Sequence, residues 1–86
     1  MIGDKNSKRK EEPLDESQEF IQKICEKIRT IRESTGLSQE KFALQAGIDR
    51  TQWGNMETGV DMRISTLYRA IAAFGMTPAE FFKEFK

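Results

Sequence analysis

The chain has 86 residues, enough for one small domain, and its 14 basic and 14 acidic side chains give a formal net charge of zero. It has no histidine and one cysteine, Cys25, which excludes an internal disulfide and removes the side chains on which most metal sites and general bases depend. We therefore predict no enzyme, metal or cofactor and, because no apolar run approaches the roughly 18 residues of a membrane span, a cytoplasmic protein.

Residues 1–16 differ from the rest of the chain in composition. A basic cluster between Lys5 and Lys10 is followed by acidic residues, and few apolar side chains are available for burial. Because such a segment cannot bury enough apolar surface to fold, we predict a flexible arm over 1–16 and one folded domain over 17–86.

The first predicted helix lies between Ser17 and Ser34. Its apolar residues recur at steps of three and four, which places one stripe on a helix: Phe20, Ile21, Ile24, Cys25, Ile28 and Ile31. Cys25 within this stripe is expected to be buried and to carry no redox chemistry. Thr35 and Gly36 end the helix.

Three further helices are predicted from a start signal that occurs three times. In each case a polar capping residue follows an apolar residue, and a second apolar residue stands five positions after the first. Gln52 and Glu80 are spaced to complete reciprocal capping boxes at the second and third of these starts. The starts are Leu37-Ser38 with Phe42, Ile48-Asp49 with Trp53, and Met76-Thr77 with Phe81.

The fourth helix in chain order has a weaker start signal. We predict Ser65 as its N-cap and Gly75 as its end, with Leu67, Ile71 and Phe74 at helical spacing between them. No segment shows the alternation of a strand. The predicted fold class is therefore all-α, with five helices.

The connection between the second and third helices is short. The second helix ends at Ala46 and the third is capped at Asp49, so only Gly47 and Ile48 turn the chain, and the two helices must cross steeply. Gly47 suits a positive φ, which a residue with a β-carbon would adopt at a cost of about 1 kcal/mol. This geometry is that of a helix-turn-helix.

Four short segments form a recognisable pattern. They are Ile28-Arg29-x-x-Arg32, the run Gly36-Leu37-Ser38-Gln39-Glu40-Lys41-Phe42-Ala43, the triplet Ala46-Gly47-Ile48, and Met56-Glu57-Thr58-Gly59. Together, over about 24–82, they resemble the phage repressor and Cro-like (Xre-type) helix-turn-helix family. The resemblance implies a lambda-repressor-like domain that binds double-stranded DNA and regulates transcription, with repression as the expected outcome. It also implies that the third helix, about 50–58, enters the major groove.

The face of the third helix that would meet DNA is predicted to be polar. With Asp49 as its cap, the helix presents one polar face, while Trp53 and Met56 point inward. Arginine, glutamine and asparagine can each bind base edges through paired hydrogen bonds. The predicted contacts on this helix are Arg50, Thr51, Gln52 and Asn55.

The resemblance also implies roles for residues outside the third helix. Gln39, at the start of the second helix, would bind a phosphate oxygen and brace a residue of the third, Arg50 or Thr51. Arg63 would contact the DNA backbone or the minor groove. Arg32 and Glu57 would form an ion pair that fixes the third helix.

Several features leave other interpretations open. Val60 and Asp61 occupy a loop where relatives often carry basic residues, and an acid there would repel phosphate. With the neutral net charge, this favours an alternative function as a protein-interaction module, such as an antitoxin or an adaptor. The polar face of the third helix could then be an ordinary solvated face. Gly54 in this helix either allows another backbone or a partner to approach the helix closely, or is tolerated without a function.

Two further expectations concern assembly and the arm. Because helix-turn-helix proteins usually bind paired half-sites, we predict a homodimer, with Phe82 or Phe85 in the dimer contact. The alternative is that the last helix packs on the first. The basic cluster between Lys5 and Lys10 is predicted to be a polar tail, or alternatively an arm that wraps DNA.

Overall fold

A computed structural model describes residues 16–85. It contains five helices and, within these residues, no strand: α1 Glu16–Thr35, α2 Gln39–Ala46, α3 Arg50–Met56, α4 Ile64–Ala73 and α5 Pro78–Phe81. The predicted all-α class with five helices is confirmed. No helix among the described residues is long and apolar enough to cross a membrane. Residues 1–15 of the predicted arm lie outside the described residues, and Glu16 already belongs to α1.

The predicted start signals produce capped helices. Ser38 Oγ accepts a hydrogen bond from Lys41 N at 3.1 Å, and Asp49 Oδ2 accepts one from Thr51 N at 3.0 Å. Thr77 and Glu80 close a reciprocal box, with distances of 2.9 and 3.1 Å. These bonds satisfy donors that the first turn of a helix leaves without intrahelical partners.

The box predicted at the start of α3 forms only in part. The backbone N–H of Gln52 donates to Asp49 Oδ2 at 3.4 Å. Within the described residues, the side chain of Gln52 makes no return bond to the backbone of Asp49. The reciprocal half of the predicted capping box is therefore missing at this helix start.

The predicted start of α4 at Ser65 is wrong. The helix begins at Ile64, and Arg63 is its N-cap, with extended backbone angles and no side-chain capping bond. The carbonyl of Arg63 already accepts a hydrogen bond from Leu67 N at 3.0 Å. The hydrogen bonds of the helix therefore begin two residues before the predicted cap. Ser65 therefore lies in the first turn.

The turn between α2 and α3 has the predicted geometry. Gly47 lies in the left-handed region at φ 69°, and the N–H of Ile48 donates to the carbonyl of Ala43 at 2.9 Å. This is the bond pattern that ends a helix with a left-handed residue and satisfies its last carbonyls. Ile48 is buried, so the turn is tied to the core.

The core lies between α1, the α2–α3 pair and α4. Trp53 is fully buried, and its ring lies 5.7 Å from that of Phe42 and 5.9 Å from that of Phe74, between centroids. Cys25 is buried as expected, and burial raises the pKa of its thiol. The other large side chains that are fully buried are Ile28, Met56, Ile71 and Phe81. The inward face of α3 is thus packed against α2 and against the end of α4.

The phenylalanines of the C-terminal segment pack within the chain. Phe81 is buried, and the rings of Phe82 and Phe85 lie 6.3 and 6.1 Å from that of Phe20 on α1. Lys27 Nζ lies 5.3 Å from the Phe81 ring centroid. The structure therefore has the packing on the first helix that we considered as the alternative to a dimer contact at Phe82 or Phe85.

Candidate nucleic-acid interface

The outward face of α3 carries the four predicted contact residues. Arg50, Thr51, Gln52 and Asn55 are all exposed, whereas the side chains that alternate with them at helical spacing are buried. Within the described residues, none of the four side chains has a hydrogen-bond or ion-pair partner. Their donors and acceptors are therefore free for an external ligand such as a base edge.

The end of α3 is held by a buried carboxylate. Arg32 Nε lies 2.6 Å from Glu57 Oε2 and Arg32 Nη2 lies 3.1 Å from Glu57 Oε1, so α1 and the C-cap of α3 are joined by a two-point contact. Arg32 also donates from Nη1 to the carbonyl of Leu37 at 2.9 Å. One guanidinium thus connects α1, the start of α2 and the end of α3.

Two more donors complete the coordination of Glu57. Trp53 Nε1 donates to Glu57 Oε2 at 2.6 Å, and Gln39 Nε2 donates to Glu57 Oε1 at 3.0 Å. The Glu57 side chain is only 2% exposed, so four hydrogen bonds compensate its desolvation. We call Arg32, Gln39, Trp53 and Glu57 the Glu57 cluster.

The electrostatics of the Glu57 cluster favour the charged carboxylate. Burial acts to raise the pKa of Glu57, but the hydrogen bonds from Arg32, Gln39 and Trp53 outweigh burial and hold this pKa below its ordinary value. The hydrogen bond to Glu57 raises the pKa of Arg32. Both shifts have the sign expected of a buried ion pair, so the cluster is charged at neutral pH.

Gln39 has a different partner from the one predicted. Its Nε2 is bonded to Glu57, whereas the sequence interpretation had its side chain bracing Arg50 or Thr51. Its Oε1 faces the helix surface at Gly54, where an added Cβ would lie 3.8 Å from both Gln39 Oε1 and Arg50 Nη1. Gln39 therefore stabilises the C-terminal end of α3 through its bond to Glu57. Its side chain and that of Arg50 lie on either side of Gly54.

The sequence interpretation missed Trp53 and Gln39 as members of the Glu57 cluster. Trp53 was assigned to the core alone, although its spacing of four from Glu57 could have indicated a contact across one helical turn. Gln39 gave no such signal, because it lies 18 residues from Glu57 in the chain.

The loop between α3 and α4 carries both signs of charge. Arg63 and Asp61 are exposed, and Asp61 Oδ1 accepts a hydrogen bond from Met62 N at 2.8 Å. Gly59 has φ 95°, and an added Cβ there would come within 2.3 Å of Gln22 Nε2 on α1. The loop is thus fitted closely to α1, with its charged side chains outward.

Comparison with known proteins agrees with this geometry. The family model for a helix-turn-helix domain matches residues 25–81. The chain belongs to the helix-turn-helix family. A relative of this family, the control protein C.MunI of Mycoplasma sp, is 37% identical over 60 residues, which cover 67% of this chain and 81% of that protein. No solved structure matches the chain.

Membership in the helix-turn-helix family confirms the predicted class of function. The chain is a DNA-binding transcriptional regulator, and α2 and α3 are its helix-turn-helix. The match spans α2, α3, α4 and α5 and enters α1 at Cys25, so it includes all four members of the Glu57 cluster.

Proposed function

We propose that this helix-turn-helix protein is a sequence-specific repressor that reads the major groove with α3. The observation that carries the proposal is the exposed polar face of α3, whose side chains lack partners among the described residues while the helix beneath them is fixed by the Glu57 cluster. A reading helix must hold its side chains in register with the bases, and a rigid support does this.

Each residue of the α3 face has a role suited to its chemistry. Arg50 can donate two hydrogen bonds to a guanine, and Gln52 and Asn55 can each pair with an adenine edge. Thr51 contacts a phosphate or a thymine methyl group. The discrimination expected from one good paired contact is about 1–3 kcal/mol.

Two residues outside α3 position the protein on the duplex. Gln39 is the first residue of α2, and its Nε2 retains a second hydrogen that can reach a phosphate while the first is bonded to Glu57. Arg63 is exposed at the start of α4 and contacts the backbone or the minor groove. These contacts contribute affinity and register, not sequence preference.

The proposal includes a homodimer on paired half-sites, in the cytoplasm, without enzymatic activity. Paired half-sites separated by one helical turn place two α3 helices about 34 Å apart. A small reading head bound at a promoter represses by occupying it. The name of the relative, a control protein, supports a regulatory role for this chain.

The proposal is tested by selection from a randomised duplex library at two salt concentrations. We compare the wild type with an Arg50→Ala, Gln52→Ala, Asn55→Ala variant and with Arg29→Ala, which removes one exposed arginine from α1. We expect the wild type and Arg29→Ala to enrich the same motif and the triple variant to enrich none. A folded wild type that enriches no motif at either salt concentration contradicts the proposal.

A second candidate function is a protein-interaction module on the same fold, such as an antitoxin or an adaptor. The zero net charge and the exposed Asp61 favour it, because both weaken attraction to phosphate. Binding through several phosphates must weaken steeply as salt rises, whereas binding to a protein partner need not. The two salt concentrations in the selection separate these functions.

A further inference from the structure

Gly54 lies inside α3, four residues after Arg50 and three after Thr51, so it shares their side of the helix. A glycine inside a helix costs about 1 kcal/mol relative to alanine. Gly54 has no positive φ, and an added Cβ there would make only ordinary contacts. Among the described residues, the packing of α3 therefore gives no reason for a glycine at this position.

Two polar atoms border the space above Gly54. A Cβ built at this position would lie 3.8 Å from Arg50 Nη1 and 3.8 Å from Gln39 Oε1. Apart from the chain neighbours of Gly54 and the backbone of α3, no other heavy atom of residues 16–85 would come within 4 Å of this Cβ. The space is therefore bordered by one hydrogen-bond donor and one acceptor.

The acceptor is held in place by the Glu57 cluster. Because Glu57 is charged and can only accept hydrogen bonds, the amide of Gln39 must turn its Nε2 toward it. Its Oε1 then faces Gly54, where it has no donor within the part of the chain that the structure describes. A buried carboxylate thus determines the direction of an acceptor at the surface of α3.

We propose that Gly54 determines specificity by leaving room for the guanidinium of Arg50 to lie between a base and Gln39. The inference rests on the proposed function, in which Arg50 binds a guanine. A guanidinium carries five N–H donors in one plane, so two can bind the guanine while a third donates to Gln39 Oε1. The bond to Gln39 fixes the plane in which the guanine is bound. Gly54 is thus a positioning residue that acts through Arg50.

A longer side chain at position 54 would fill this space. Side chains of a helix point back toward its N-terminus and cover the residue one turn earlier, which here is Arg50. A methyl group would make ordinary contacts at 3.8 Å, but the outer carbons of a leucine would displace Arg50 or Gln39. The hydrogen bond to Glu57 resists movement of Gln39, so the arginine is the group that moves.

The expected effect is confined to one base pair. Successive residues are about 100° apart around a helix, so Gln52 and Asn55 project away from the space above Gly54. Contacts to phosphate carry no sequence preference. A larger residue at position 54 should therefore change the preference at the base pair that Arg50 reads and leave the rest of the motif as it is.

The test compares two substitutions that differ in length and are both favourable in a helix. Alanine and leucine are good helix formers, so Gly54→Ala and Gly54→Leu should both fold, which circular dichroism and urea unfolding check. Ala72→Leu is the matched control, because it adds similar bulk at an exposed position of α4. Gly54→Met repeats the test with a flexible side chain if Gly54→Leu does not fold.

The readout is the preference for guanine at the base pair that Arg50 reads. Selection with Arg50→Ala identifies this pair as the position where the enriched motif loses its preference. Fluorescence anisotropy then gives the ratio of affinities for the selected duplex and for a duplex changed at this pair alone. We expect Gly54→Leu to lower the ratio about tenfold or more, Gly54→Ala by no more than about threefold, and Ala72→Leu to leave it as in the wild type.

A double-mutant cycle shows whether Gly54 acts through Arg50. With Arg50→Ala there is no guanidinium to displace, so adding Gly54→Leu should change the affinity for the selected duplex by less than about twofold. A loss of the same size with and without Arg50 contradicts the positioning role.

Failure of this inference is distinguishable from failure of the proposed function. A folded Gly54→Leu that keeps the wild-type ratio contradicts the role of Gly54 and leaves sequence reading by α3 intact. A loss of preference spread over the whole motif also contradicts this role, and so does a motif that Arg50→Ala leaves unaltered. If the folded wild type enriches no motif, the proposed function is wrong, and the inference is wrong with it.

Discussion

Trp53 Nε1 donates a hydrogen bond to Glu57 Oε2 at 2.6 Å, so the largest core side chain of α3 also holds the carboxylate that ends this helix. The indole is fully buried between Phe42 and Phe74. Packing of the core and orientation of the recognition helix therefore depend on the same residue.

Replacing Trp53→Phe keeps an aromatic ring but removes the N–H donor. We expect a loss of about 1–3 kcal/mol in the free energy of unfolding, because Glu57 loses one of its donors in a buried site. The measurement is urea unfolding at fixed protein concentration. Combined with Glu57→Gln, the two losses should fall short of additive by about 0.5 kcal/mol or more. Additive losses would show that the hydrogen bond does not couple the two residues.

Glu57→Gln removes the charge of the cluster with little change in volume. Arg32, with a side chain only 14% exposed, then lacks its counter-ion, and we expect a loss of about 3 kcal/mol in the free energy of unfolding. The matched control is Glu33→Gln, which breaks the exposed Arg29–Glu33 pair and should change stability by less than about 1 kcal/mol. Equal effects in the two variants would contradict a structural role for the buried pair.

The pH dependence of stability should carry the signature of Glu57. Because the pKa of Glu57 is lower in the folded chain than its ordinary value of 4.5, its contribution to stability is complete above that value. The contribution is lost as pH falls from about 4.5 through the folded pKa. We measure the free energy of unfolding by urea between pH 7 and 3. In the acid range it should fall more steeply for the wild type than for Glu57→Gln. Parallel curves would contradict the lowered pKa.

Two glycines should respond to alanine in opposite directions. An added Cβ at Gly54 would make only ordinary contacts at 3.8 Å, so Gly54→Ala should stabilise the chain by about 0.5–1 kcal/mol through helix propensity. Gly47 has φ 69°, so Gly47→Ala should destabilise by about 1 kcal/mol. Thermal unfolding compares the two. A destabilised Gly54→Ala would indicate that Gln39 and Arg50 need the space that glycine leaves.

Local signals in the sequence were enough to predict most of the fold. The stapled starts at Ser38, Asp49 and Thr77 and the glycine turn at Gly47 depend on residues close in the chain. The start of α4 could not be predicted in this way, because its N-cap, Arg63, makes no side-chain capping bond. Where core packing and not a capping side chain stabilises a helix, the spacing of apolar residues alone predicts the first residue of the helix poorly.

The candidate site divides in the same way. The outward face of α3 follows from its cap and its helical period, so Arg50, Gln52 and Asn55 were predicted from the sequence. The partners of Glu57 from α1 and α2 depend on how three helices pack, over separations of 18 and 25 residues. Which face of α4 is exposed also depends on packing. Ile64, the first residue of α4, is 84% exposed, and nothing in the sequence around it indicates that it projects into solvent.

The most direct test of the central claim, that α3 reads sequence, is the ratio of affinities for the selected duplex and a scrambled duplex. Fluorescence anisotropy gives this ratio for the wild type and for Gln52→Ala/Asn55→Ala, two neutral substitutions that leave phosphate attraction unchanged. We predict that the ratio falls by about tenfold or more, while the salt dependence of binding to the scrambled duplex stays the same. An unchanged ratio in the folded variant would contradict sequence reading by α3.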